Sequence, residues 1–172
     1  MRGHPIVLNS LAGDSVYVTT KAIISEFLDE AEQSRLGPCN IFLDYARYKG
    51  EEVYASHEVF KELAEKLLSK DEHLYKMTDS LIQDGGPLIG TNTDFGNEMH
   101  NVAFIAGKLA SINPPKNVIV VRSGRDNIDE SLVRRYIKKY FQVDFRNLII
   151  LDVDSFVQIA KRDDEFRTLI GE

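Results

Sequence analysis

The chain predicts an α/β protein, a three-layer α/β/α sandwich with a mostly parallel sheet and an N-terminal hairpin. Three stretches carry that prediction. Each is an apolar run that ends at carboxylates and leads into an amphipathic helix: Ile41-Phe42-Leu43-Asp44, Val118-Ile119-Val120-Val121 followed by Asp126, and Leu148-Ile149-Ile150-Leu151 followed by Asp152 and Asp154. Strands of a parallel sheet read as continuous apolar runs because helices cover both faces. Ligands of such sheets sit beyond the carboxyl ends of the strands. Acids placed there converge on one rim and repel unless a cation or a proton is present.

The elements follow in order. Pro5 to Asn9 and Val16 to Thr19 read as short strands. The link between them is too short for a parallel crossover, so they are expected to pair as a hairpin. A helix follows with Ala22, Ile23, Ile24, Phe27, Leu28 and Ala31 on one face, Thr20 as its cap and Gly37-Pro38 as its stop. A strand is expected from Asn40 to Ala46. Ser56 then caps a helix that turns Val59, Phe60, Leu63, Ala64, Leu67 and Leu68 inward. Leu74, Met77, Leu81 and Ile82 mark a short helix ended by Gly85-Gly86-Pro87. A very short strand from Pro87 to Gly90 and a polar loop from Thr91 to Gly96 come next. Met99, Val102, Ala103, Ile105, Ala106, Leu109 and Ala110 define a helix broken by Asn113-Pro114-Pro115. The strand Asn117 to Val121 is wholly apolar after its first residue, hence central. Asn127 and Glu130 stand in capping-box spacing before a helix that buries Leu132, Val133, Tyr136, Ile137, Tyr140 and Phe141. A strand from Leu148 to Val153 and a helix with Ser155 and Gln158 in capping spacing close the chain.

Composition bounds the function. At 172 residues, 43% hydrophobic, the chain is expected to form one domain spanning 1–172. The formal net charge of −6 argues against broad binding to duplex nucleic acid, which needs a basic surface. The single cysteine, Cys39, excludes an intramolecular disulfide and a cysteine-rich zinc site, and fits a reducing, cytoplasmic setting. No run approaches the roughly 20 apolar residues of a membrane helix, so no membrane partner is expected. Met1-Arg2-Gly3-His4-Pro5 does not read as a secretory leader.

The candidate site is acidic. Asp94, Glu98 and Asn101 lie at i, i+4 and i+7, which on one helix would put two carboxylates and an amide oxygen on one face. Such a set is a half-site for a hard cation, Mg²⁺ or Mn²⁺; the alternative is that Asp94 caps the helix and Glu98 is solvated. Asp126 either reaches the sheet edge beside Asp44 or favours the next helix dipole. Glu62 borders the buried face of its helix and would complete a four-acid set with Asp44, Asp94 or Glu98, and Asp126. Arg122 and Arg125 are candidates to hold a phosphate, beside a metal or in a metal-free nest. Arg134-Arg135 and Lys138-Lys139 form a basic helix face that either is solvated or meets an RNA backbone. Tyr45 and Tyr48 read as exposed, which suggests a homodimer face. No nucleotide P-loop or Gly-x-Gly-x-x-Gly motif is present.

From Glu98 onward the text resembles the C-terminal half of a PIN-domain ribonuclease. The matching segments are Asn101-Val102-Ala103-Phe104-Ile105-Ala106, then Val118 to Val121 with Asp126, then Leu151-Asp152-Val153-Asp154-Ser155-Phe156-Val157. Val53-Tyr54-Ala55-Ser56 with Glu62 is similar to the strand and helix that carry the family's glutamate. The resemblance implies Mg²⁺- or Mn²⁺-dependent hydrolysis of RNA phosphodiesters, with Asp44, Glu62, Glu98 and Asp126 as catalytic acids and Asp44, Asp94, Glu98 and Asp126 as metal ligands. Two positions depart from it. The family's first acid ends an N-terminal strand, whereas Pro5 to Leu8 ends in Asn9, and the family's helix acid falls on Asn101. The reading that needs no catalysis is a Rossmann-like module that binds a nucleotide, another anion or a protein partner.

Overall fold

The computed structural model describes residues 15–33, 35–66, 68, 71–82, 86–112 and 117–172. Its sheet contains β1 (Ser15–Val18), β2 (Val53–Ala55), β3 (Leu88–Gly90), β4 (Asn117–Arg122) and β5 (Leu148–Asp152), all parallel, in the order β3-β2-β1-β4-β5. Tyr17 stands between Val53 and Ile119, and Ile119 opposite Ile149. Strand side chains alternate between faces, and two apolar clusters result. Tyr17, Val53, Ile119, Val121 and Ile149 meet one set of helices; Val16, Val18, Val118, Val120, Leu148 and Ile150 meet the other. The α/β/α sandwich and its parallel sheet are therefore present.

The first layer is built from α1 (Lys21–Glu32), α2 (Pro38–Lys49), α3 (His57–Lys66), α4 (Glu72–Ile82), α7 (Val153–Ala160) and α8 (Asp164–Leu169). The second is built from α5 (Glu98–Ile112) and α6 (Glu130–Phe141). In the first layer Phe156 is fully buried and meets Tyr17, Phe42 and Tyr45 edge-on at 5.5, 5.0 and 5.6 Å. Edge-to-face geometry matches the positive ring edge to the negative face and adds roughly 0.5–1.5 kcal/mol per pair to burial.

The segment expected as a strand at Asn40–Ala46 is helical, the middle of α2. Ile41-Phe42-Leu43 is compatible with either state, and the brackets decide. Pro38 sits in the first helical turn, where its missing N–H costs nothing, and Gly50 ends the helix in the left-handed region at φ 68°. Gly37-Pro38 thus starts a helix as well as following one. Buried Glu30, from α1, accepts the Cys39 and Asn40 backbone N–H groups at 3.2 and 2.9 Å and so caps α2 from outside it. Tyr45 is buried against Phe156 and Phe166, and Tyr48 packs on Phe166, so the pair belongs to the core rather than to an exposed face.

The hairpin does not form along β1. Both of its edges are taken, by β2 and β4, and its expected partner Pro5–Asn9 lies outside the described residues. Asn113-Pro114-Pro115 also lies outside them. Thr20 caps α1 as expected, accepting the Ile23 N–H at 3.2 Å. The cap of α6 is Asp129, not Asn127, and Asp163 caps α8, an element the sequence reading did not separate. Leu68, expected to face inward, is 85% exposed beyond the end of α3.

Candidate functional site

The chain leaves β1 toward one layer and β4 toward the other. Between their carboxyl ends the strand order reverses, and in open α/β sheets that crevice is the usual ligand position. Thr20 and Lys21 follow β1; Ser123 to Asp126 follow β4. The Thr20 hydroxyl donates to Asp126 Oδ2 at 2.7 Å, and the Ser123 N–H donates to the same oxygen at 2.7 Å. Lys21 closes the rest of the rim. Its backbone N–H donates to Glu98 Oε2 at 2.6 Å, and its Nζ meets Glu58 Oε1 at 2.8 Å. Glu58 and Glu62 stand one turn apart on α3 and so share a face. A cleft of about 450 Å³ opens beside these groups, lined by Lys21, Ser25, Glu98, Arg125 and Asp126 among others.

The physical cause of the arrangement is the α1 N-terminus. Its first N–H groups lack intrahelical partners and carry partial positive charge. Glu98 takes the Lys21 N–H, and Thr20 takes that of Ile23. Burial pushes Glu98 above the usual carboxylate range, and Asp126 and Glu58 nearby push the same way, against the pull of the Lys21 N–H. Burial also raises Asp126, against the Ser123 N–H and the Thr20 hydroxyl. The hydrogen bond and charge of Glu58, with Glu62 and Glu98 also acting on it, hold the Lys21 ammonium above its ordinary value.

Several expected site residues stand elsewhere. Asp44 lies inside α2, where it pairs with Arg47 at 3.8 Å; burial raises its pKa. The expected strand end that would have carried it to the rim does not exist. Asp94 precedes α5 by four residues, so it does not share a helical face with Glu98 and Asn101. It is exposed, and its carboxylate accepts the Gly96 N–H at 3.1 Å. Arg122 and Arg125 go to separate partners, Arg122 to Asp152 at 2.9 Å and Arg125 to Glu26 at 4.0 Å. The turn between them is already satisfied from within, since Asp126 accepts from Ser123 N–H and Ser123 Oγ from Arg125 N–H. Glu62, Glu98 and Asp126 remain at the rim.

A resident divalent ion does not fit this donor set. Among the described residues no group of three or more His, Cys, Asp or Glu side chains is placed to hold a metal. Glu98, Asp126 and Glu58 already accept from backbone N–H groups, a hydroxyl and an ammonium.

A second cavity, of about 570 Å³, lies beside the sheet edge. Tyr54 of β2, the loop from Thr91 to Phe95 and the α5 residues Phe104, Lys108, Leu109 and Ile112 line it. Phe95 is half exposed, stacked on Tyr140 at 5.7 Å with 15° between planes and edge-on to Phe104 at 5.2 Å. The Lys108 ammonium lies 6.0 Å from the Phe104 ring centre. Asn101, buried on α5, accepts the Phe95 N–H through Oδ1 at 2.7 Å and so fixes the loop that presents this ring. That is the position where the PIN resemblance puts an acid.

Sequence reasoning missed Lys21, Glu58, Phe95 and the anchoring role of Asn101. Thr20 was legible only as a cap. Its second bond, to Asp126, spans 106 residues and leaves no local trace. No helix among the described residues is long and apolar enough to cross a membrane. No protein-family model, curated protein or solved structure matches the chain.

Proposed function

We propose that the chain is a non-catalytic Rossmann-like module that binds a nucleobase-bearing ligand, a mononucleotide or a segment of single-stranded RNA, in the aromatic cavity. The observation that carries this reading is the cavity itself. It has the volume of a small-molecule site, aromatic walls from Tyr54, Phe95 and Phe104, an exposed ammonium on Lys108 and an exposed amide on Asn92. Bases stack on aromatic rings whatever their sequence, and each stack is worth about 1–3 kcal/mol. The amide can pair with a base edge, and the ammonium can meet a phosphate. Glu58, Glu98 and Asp126 have partners within the protein, which supports a role in structure.

Titration with AMP, UMP and a short single-stranded RNA, followed by calorimetry, tests the reading. Binding that weakens in Phe95→Ala and in Lys108→Ala supports it. Tighter binding of the RNA than of either mononucleotide assigns the cavity to RNA. Absence of binding by all three at millimolar concentration removes the proposal.

One observation favours a second reading, a PIN-like Mg²⁺- or Mn²⁺-dependent endoribonuclease: Glu62, Glu98 and Asp126 arrive on one rim at the switch point of the sheet. RNA cleavage that requires Mn²⁺ and is lost in Asp126→Asn would establish it over the binding module.

A further inference from the structure

The rings of the aromatic cavity continue beyond its wall. Phe95 stacks on Tyr140 of α6 at 5.7 Å with 15° between planes, and Phe104 meets the same ring at 5.9 Å. His100 is hydrogen-bonded through Nδ1 to the Tyr140 hydroxyl and stacks on Tyr136 at 4.0 Å with 28° between planes. On α5, His100, Phe104 and Lys108 stand at i, i+4 and i+8; on α6, Tyr136 and Tyr140 stand at i and i+4. Each set therefore shares one helical face. Together the two faces make one band of rings, partly open to solvent, that runs from the cavity onto α6.

Cations border the band. Arg135 and Lys139 each precede one of its tyrosines and lie on the side of α6 opposite the buried Val133 and Ile137. Arg134 and Lys138 are paired, with Glu130 at 3.1 Å and Asp144 at 3.8 Å. Arg135 and Lys139 are exposed, and neither is in an ion pair among the described residues. Lys108 supplies an exposed ammonium at the cavity end. Positive charge is thus gathered along the rings in a chain whose net charge is −6.

Resting on the nucleobase reading of the cavity, we propose that this band is its continuation, a track for a single strand of nucleic acid. One base enters the cavity, the next lie along the rings of α6, and the phosphates pass Lys108, Lys139 and Arg135. A free mononucleotide offers one base and uses the cavity alone. A duplex hides its base faces in its own stack. Only a single strand presents several open base faces with a phosphate for each, which is the pattern that alternating rings and cations match.

The test is calorimetric titration of the full chain with UMP and with uridine oligomers up to about eight residues long, within the span of known single-strand sites. Affinity is expected to rise with length, by roughly tenfold or more from UMP to the octamer. Three phosphate contacts predict that log K for the octamer falls against log[salt] with a slope of about −2. In the double variant Arg135→Gln/Lys139→Gln that slope should shrink to about −0.7, the length gain should be lost, and UMP affinity should hold. Phe95→Ala should weaken UMP and octamer alike. A deoxyuridine octamer run beside the ribo-octamer tells which strand the track prefers, and tighter binding of either one than of UMP supports it. UMP binding with no gain from length, or an octamer that the double variant binds as well as wild type, would overturn the track and leave the cavity reading standing. So would a duplex that competes as well as the single strand. If UMP does not bind and Phe95→Ala leaves the octamer unaffected, the cavity reading falls and the track falls with it.

Discussion

The rim and the aromatic cavity both draw on one helix, α5, and they are built on opposite terms. At the rim Glu98 begins α5, and the polar groups around it find partners inside the protein: Glu98 with the Lys21 N–H, Asp126 with Thr20 and Ser123, Glu58 with the Lys21 ammonium. At the cavity, further along α5, Phe104 and Lys108 join Phe95, and the rings lean on one another while leaving surface open. A satisfied charge has little left to offer a ligand, whereas an open ring face beside a charge does. The more conspicuous chemistry in the sequence is thus the less available chemistry in the fold.

The largest expected effect would break the link between the two regions. Asn101→Ala removes the buried amide that accepts the Phe95 N–H and frees its loop, a loss of about 1–2 kcal/mol for a part-buried hydrogen bond and the space the side chain filled. Chemical denaturation should show that loss, and nucleotide affinity should fall with it. Phe95→Ala sharpens the contrast from the other side. With the ring half exposed, stability should change little while base binding drops roughly 5- to 150-fold, which calorimetry measures. At the rim Thr20→Ala removes a helix cap and a donor to Asp126, for a loss of about 1–2 kcal/mol in denaturation and none in nucleotide affinity.

The smallest effect concerns protons. Glu98 and Asp126 are raised by burial, so the folded state holds their protons more tightly than the unfolded chain does. Their contribution to stability is full below the ordinary carboxylate range and is lost as pH rises through the raised values. Glu98→Gln keeps an acceptor for the Lys21 N–H without the charge. It should therefore be at least as stable as wild type at pH 7, with the difference narrowing as pH falls and Glu98 takes up its proton. Melting curves across that range check it. A difference that widened instead would mean that Glu98 is stabilised as an anion.

Much of the layered architecture was legible because its signals are local. Val118 to Val121 and Leu148 to Leu151 are runs that both faces of the sheet bury, and the apolar spacing of α1, α5 and α6 repeats within a few residues. Ile41-Phe42-Leu43 was misread because a short apolar run fits a buried strand and a buried helix equally. Its cap, Glu30, comes from the preceding helix. Of the expected acids, Glu98 and Asp126 were readable because they stand where an element begins or a strand has just ended. Asp44 was assigned to the rim only through the misread strand.

What the sequence determined by itself is the α/β class and the elements with strong local signals, such as β4, β5 and the helices α1, α5 and α6, since periodicity, caps and breakers act over a turn or two of chain. Only the tertiary structure decided which charges meet. Lys21 reaches Glu98 across 77 residues and Thr20 reaches Asp126 across 106. Such pairs are set by strand order, and strand order follows from how two apolar faces are covered at once, which no local pattern encodes.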